Sequence, residues 1–150
     1  MASRFAKASW CAALAAMVLV AVAPVRAAEE PIEIFDAHLH YNWEPKPYYE
    51  LNDVLALFKK HRVTGILATS RPNDGTHALV DAKAEGLWVV PFLRPYRVRP
   101  DIQTWFNDPA IFDLIQDEYK RGYYRGIGEF PLSGKDAASE WVKKTVNFAV

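Results

Sequence analysis

Cysteine is almost missing from this chain. The one residue, Cys11, lies in the first apolar stretch, so no disulfide can brace whatever fold follows. A charge excess is missing too: 18 Lys and Arg balance 18 Asp and Glu, which removes the basic surface that would mark nucleic acid as a partner. Glycine is sparse, with seven residues, and none stands in the spacing of a phosphate-cradling loop, which argues against a nucleotide-binding α/β sheet. The main apolar run, from about Trp10 to Val22, is shorter than the ~20 residues that comfortably span a bilayer.

That run has the marks of an export signal, with an uncleaved N-terminal anchor as the minor alternative. Arg4 and Lys7 precede it, and Val25-Arg26-Ala27 offers small residues where a signal peptidase reads. Residues 1–27 are therefore expected to be a Sec-type signal peptide and residues 28–150 the mature chain. Cleavage after Ala27 removes Arg4, Lys7, Arg26 and no acids, leaving 15 basic against 18 acidic residues, a net charge of −3. Cys11 leaves with the signal and lacks the flanking residues of a lipoprotein site. The expected product is periplasmic or secreted, without stable membrane association after cleavage. Its stability is left to packing and metal.

What is present is concentrated in Ile32-Glu33-Ile34-Phe35-Asp36-Ala37-His38-Leu39-His40, which reads as a buried strand ending in metal-ligand chemistry. Strand alternation puts Asp36, His38 and His40 on one face and Phe35, Ala37 and Leu39 on the other. Two neutral imidazoles so placed can bind one divalent cation of the zinc type. A carboxylate two positions earlier can orient a ring or complete the coordination. Paired histidines also occur with no metal, simply bonded to each other; the preceding Asp36 and apolar run favour the metal reading.

The rest of the chain alternates strand with helix. A loop from Tyr41 to Tyr49, interrupted by Pro45 and Pro47, carries Trp43, Tyr48 and Tyr49, which would wall a substrate or cover the strand ends. Leu51, Val54, Leu55 and Phe58 predict a first helix, with His61 at its solvated end. Gly65 to Ser70 predicts a second strand ending in hydroxyls; Ala78, Leu79 and Ala82 a modest second helix, containing His77 and stopped at Gly86; and Leu87 to Leu93 a third strand, apolar throughout. Arg94, Arg97 and Arg99 follow, and Arg94, nearest the strand, is placed to hold a substrate carboxylate. Asp108-Pro109 begins a third helix, which Gly122 ends. Tyr124 to Phe130 predicts a fourth strand with one acid, Glu129, at its end, and a last helix carries Trp141, Val142, Thr145 and Val146 on one face.

Four strand-helix units of about thirty residues predict an α/β fold with a parallel sheet. The segment Asp36-Ala37-His38-Leu39-His40, with Gly126-Ile127-Gly128-Glu129-Phe130 as a second and weaker point, resembles the metal-dependent amidohydrolase superfamily, and within it the amidohydrolase 2 type of TIM-barrel hydrolase. The resemblance implies a (β/α)8 barrel of which about the first four βα units are present, with His38 and His40 as metal ligands. It implies that Glu129 is a metal ligand or acid/base group. It also implies hydrolysis of a small-molecule substrate by water activated on the cation, with decarboxylation as the chemistry of some relatives. Further ligands in that family come from later strands, so these 150 residues alone are expected to be inactive and, with apolar surface uncovered, to self-associate. The competing class is a non-catalytic metal-binding or interaction module built as a half-barrel.

Overall fold

The computed structural model describes residues 31–44 and 46–150; the expected signal peptide and Cys11 lie outside the described residues. The elements run β1 (Ile34–Leu39), α1 (Leu51–Lys60), β2 (Val63–Ala68), α2 (Asp74–Asp81), β3 (Trp88–Leu93), α3 (Pro109–Tyr119), β4 (Gly126–Ile127) and α4 (Glu140–Ala149), with short 3-10 turns before α3 and α4. All pairings are parallel and the strand order is β1-β2-β3-β4, so each unit adds its strand beside the previous one. A sheet that grows in one direction, with crossovers of the usual hand, collects its helices on one face.

The core shows that it does. Ile66 and Ala68 of β2 are fully buried against Phe58 of α1 and Leu79 of α2. Leu93 of β3 and Ile127 of β4 pack with Ile111 and Ile115 of α3 and Val142 of α4. Each large aliphatic side chain so buried contributes about 1.5–3 kcal/mol. The other sheet face carries Phe35, Trp88 and Phe92. Phe35 lies beside Gly65 in register, and a Cβ on Gly65 would meet its ring at 2.3 Å, so Gly65 is what lets the ring lie flat across β2. It meets Trp88 edge-on at 5.6 Å, yet Phe35 is 46% and Trp88 67% exposed. No helix covers this face among the described residues.

Several local expectations are corrected. The first strand is not buried: Ile32, Ile34 and Phe35 are exposed, because β1 is an edge strand and half of its side chains point to the uncovered face. Nor does simple alternation hold through it. Asp36 pairs with Ile66 and Leu39 with Ala68, three steps against two, so an extra residue interrupts the ladder at the histidine end. The second helix ends at Asp81 instead of running to Gly86, which with φ +76° serves the turn into β3. The fourth strand shrinks to two residues. Its continuation leaves the ladder at Gly128, and Pro131 has no N–H to rejoin it. The helix start at Asp108 is as expected: its side chain accepts the Ala110 N–H at 2.9 Å, with Pro109 in the first turn.

Candidate metal centre

The residue just past each strand is polar or special: His40 after β1, Thr69 after β2, Arg94 after β3 and Gly128 after β4. In parallel α/β sheets, the carboxyl ends of the strands are where sites form. Here His38, His40 and Glu129 offer three ligand atoms, all within 4.8 Å of one another. His38 Nε2 lies 3.0 Å from His40 Nε2 and 2.5 Å from Glu129 Oε2, and His40 Nε2 lies 3.6 Å from Glu129 Oε1.

The tautomer of His40 follows from its neighbour. Its Nδ1 sits 2.6 Å from the Thr69 carbonyl, which can only accept, and 3.2 Å from Arg94 Nη1, which can only donate; the much shorter contact puts the proton on Nδ1, and Nε2 carries the lone pair that faces His38 and Glu129. Burial holds the His40 pKa below its ordinary 6.5, with the Arg94 charge acting the same way against the Thr69 hydrogen bond, which raises it. The ring is therefore neutral at pH 7. A proton on His38 Nε2 can bridge to His40 Nε2 or to Glu129 Oε2 at these distances, and a divalent cation can take its place. Ligands about 2.0–2.1 Å from a tetrahedral zinc stand about 3.3 Å apart, which the observed 2.5, 3.0 and 3.6 Å bracket. The donor set and spacing thus fit a group that could hold a divalent cation.

Arg94 supports this cluster from below. Its side chain is 5% exposed, Nη2 donates to Glu129 Oε1 at 3.1 Å, and the guanidinium lies over the Tyr96 ring at 5.3 Å. Burial lowers its pKa, and Glu129 opposes that shift. Burial also pushes the Tyr96 hydroxyl up to about 12. Asn73 locks the backbone here: its amide donates to the Arg94 carbonyl at 3.0 Å and accepts the Arg94 N–H at 2.9 Å. Arg94 is thus spent on Glu129 in this structure, and contact with a substrate carboxylate requires that pairing to loosen.

Asp36 does not reach a ring. Its Oδ1 accepts the backbone N–H of His38 at 3.0 Å, at the place where the interrupted ladder would leave that donor without a strand partner. It fixes His38 through the main chain. Arg97 does not face the site, being tied to Asp101 and Asp108 within its own loop. Tyr48 and Tyr49 are exposed, while Trp43 packs edge-on against Tyr41 at 5.9 Å. His77 is a structural residue, with Nε2 2.7 Å from Glu118 Oε2, which also accepts from Tyr124 at 2.9 Å.

Two supports escaped the sequence reading. Arg71 pairs with Glu44 through both carboxylate oxygens, at 2.5 and 2.9 Å, and its N–H donates to Asn42 at 2.9 Å, which clamps the loop after β1 to the loop after β2. Thr69 is the other, and the hydroxyls closing the second strand were its one visible sign. Searches against protein-family models, curated proteins and solved structures find no match to this chain.

Proposed function

We propose that this chain belongs to an exported metal-dependent hydrolase of the amidohydrolase type and supplies the first four βα units of its (β/α)8 barrel. The observation that carries the reading is the meeting of His38, His40 and Glu129 at the carboxyl end of a parallel sheet whose strands follow in chain order. The open sheet face with Phe35 and Trp88 supports the barrel, since on closure the inward side chains of all the strands pack against one another on that face. The export part rests on the pattern of residues 1–27.

Zinc, the cation best suited to this donor set, would be held by His38 Nε2, His40 Nε2 and Glu129; when bound, it supplies a water of pKa near 7 and polarises a scissile carbonyl or phosphoryl group. The chain's own residues do the rest. His40 is kept neutral and aimed by Thr69, and His38 is placed by the Asp36 bond to its amide. Glu129 keeps Oε1 toward Arg94 and Oε2 toward the histidines, placed to act either as metal ligand or as the acid/base group.

The test is metal content. Elemental analysis of the purified chain should find zinc, at modest affinity, and the double variant His38→Ala/His40→Ala should lose it. Equal zinc in the variant removes the site. A coding sequence continuing in frame past Val150 into a strand bearing histidine would favour the enzyme over a non-catalytic module.

A further inference from the structure

Thr69 is 2% exposed, and all three of its polar groups are engaged. Its N–H donates to the Leu39 carbonyl at 3.0 Å, its carbonyl accepts the His40 Nδ1–H at 2.6 Å, and its hydroxyl donates to the Gly128 carbonyl at 2.7 Å. The first two bonds grip the end of β1, where the histidines are. The third passes over β3 to the peptide that carries Glu129. β1 and β4 are opposite edges of the sheet and share no ladder, so nothing in the strand pairing sets the distance between their ends.

The Gly128 side of this bond is equally constrained. Its N–H donates to the Leu93 carbonyl at 2.9 Å, and its φ is +154°, a conformation that side chains rarely adopt. The N–H bond holds the Ile127–Gly128 peptide and the Thr69 bond to the carbonyl holds the Gly128–Glu129 peptide, so together they restrict the direction in which the Glu129 side chain leaves the backbone. That matters because the Glu129 side chain is itself 45% exposed and is held from one side by Arg94. We infer that Thr69 is a positioning residue which couples the two ligand-bearing strand ends, orienting His40 through its carbonyl and Glu129 through its hydroxyl. The inference rests on the metal reading above.

The hydroxyl arm can be tested alone, because Thr69→Val removes it and leaves the backbone carbonyl and side-chain shape. Zinc alone would be titrated into the full chain in competition with a chromophoric chelator, with circular dichroism confirming that each variant is folded. T69V should bind about 10-fold to 100-fold more weakly, the usual range for groups that orient a ligand. T69S, which restores the hydroxyl, should bind as the parent does. In a chain already carrying Glu129→Gln, T69V should cause no further loss, since the hydroxyl acts through Glu129. Wild-type affinity in T69V, or the same loss in the Glu129→Gln background, overturns the inference. Should T69V not fold, Thr69→Ala removes the same hydroxyl, and parental affinity in that variant is equally fatal. Failure of the metal reading is separate: it appears as unchanged zinc binding in His38→Ala/His40→Ala, where Thr69 is untouched, and it takes this inference with it.

Discussion

Arg94 Nη2 stands 3.1 Å from Glu129 Oε1, so a buried guanidinium holds one oxygen of a half-exposed carboxylate and leaves the other to the histidines. This pairing gives the first prediction. Arg94→Met frees Glu129 to rotate and should weaken zinc binding about 10-fold, measured by chelator competition. Arg94→Lys should not restore it, because an ammonium cannot present the same planar fork. Unchanged zinc affinity in Arg94→Met would remove Arg94 from the support of Glu129.

Gly128 offers a backbone test. Gly128→Ala forces a side chain into φ +154° and should cost about 1–3 kcal/mol in urea denaturation. The cost should fall on zinc affinity as well, because Glu129 is the next residue. A variant as stable as the parent would show that the backbone relaxes freely at this point.

Asp101 accepts the N–H groups of Arg97 at 2.7 Å and Val98 at 3.2 Å as well as the Arg97 guanidinium, and so shapes the loop between β3 and α3. Asp101→Ala leaves those donors without their acceptor and should cost on the order of 2 kcal/mol. The measurement is the shift in urea midpoint, and Arg97→Ala, which keeps the backbone bonds, should cost less.

The acid limb of stability should depend on Glu118. Burial alone would raise its pKa, but the bonds from His77 and Tyr124 and the charge of Arg121 outweigh it and hold the carboxyl below its ordinary 4.5. A depressed folded pKa means that the ionised form is favoured in the native state. Its contribution is therefore complete above about pH 4.5 and is lost as pH falls through the folded value. Glu118→Gln should be less stable than the parent at pH 7, with the gap closing below pH 4.5. A gap that stays constant from pH 7 to 3 would show that the charge does not matter.

The uncovered sheet face should make the chain self-associate. Sedimentation should show species larger than a monomer. Phe35→Lys with Trp88→Glu should reduce them, since these residues are 46% and 67% exposed on that face. A monodisperse monomer in the parent chain would count against the half-barrel and for a self-contained module.

Much of the architecture was legible because it depends on short-range pattern. Leu51, Val54 and Phe58 at helical spacing, Asp108-Pro109 as a helix start, and the apolar run ending at Leu93 each state a local preference that packing then respects. Boundaries failed where neighbours decide. The strand expected to reach Phe130 stops at Ile127, because the turn of the chain at Gly128 takes Glu129 out of the ladder. The burial expected of Ile32 to Phe35 needed a second cover that the helices on the other face do not provide.

For the candidate centre, sequence alone determined the chemistry: two imidazoles two residues apart at a strand end, and one carboxylate at the end of another strand. It could not determine that they meet, because His40 and Glu129 are separated by the whole width of the sheet and by eighty-nine positions of chain. Tertiary structure decided that, and it also paired Arg94 with Glu129, moved Asp36 from a ring to an amide, and put Thr69 between the two strand ends. The physical reason is that residue type sets which bonds a group can make, whereas the partner it bonds depends on which strand ends the packed helices draw together.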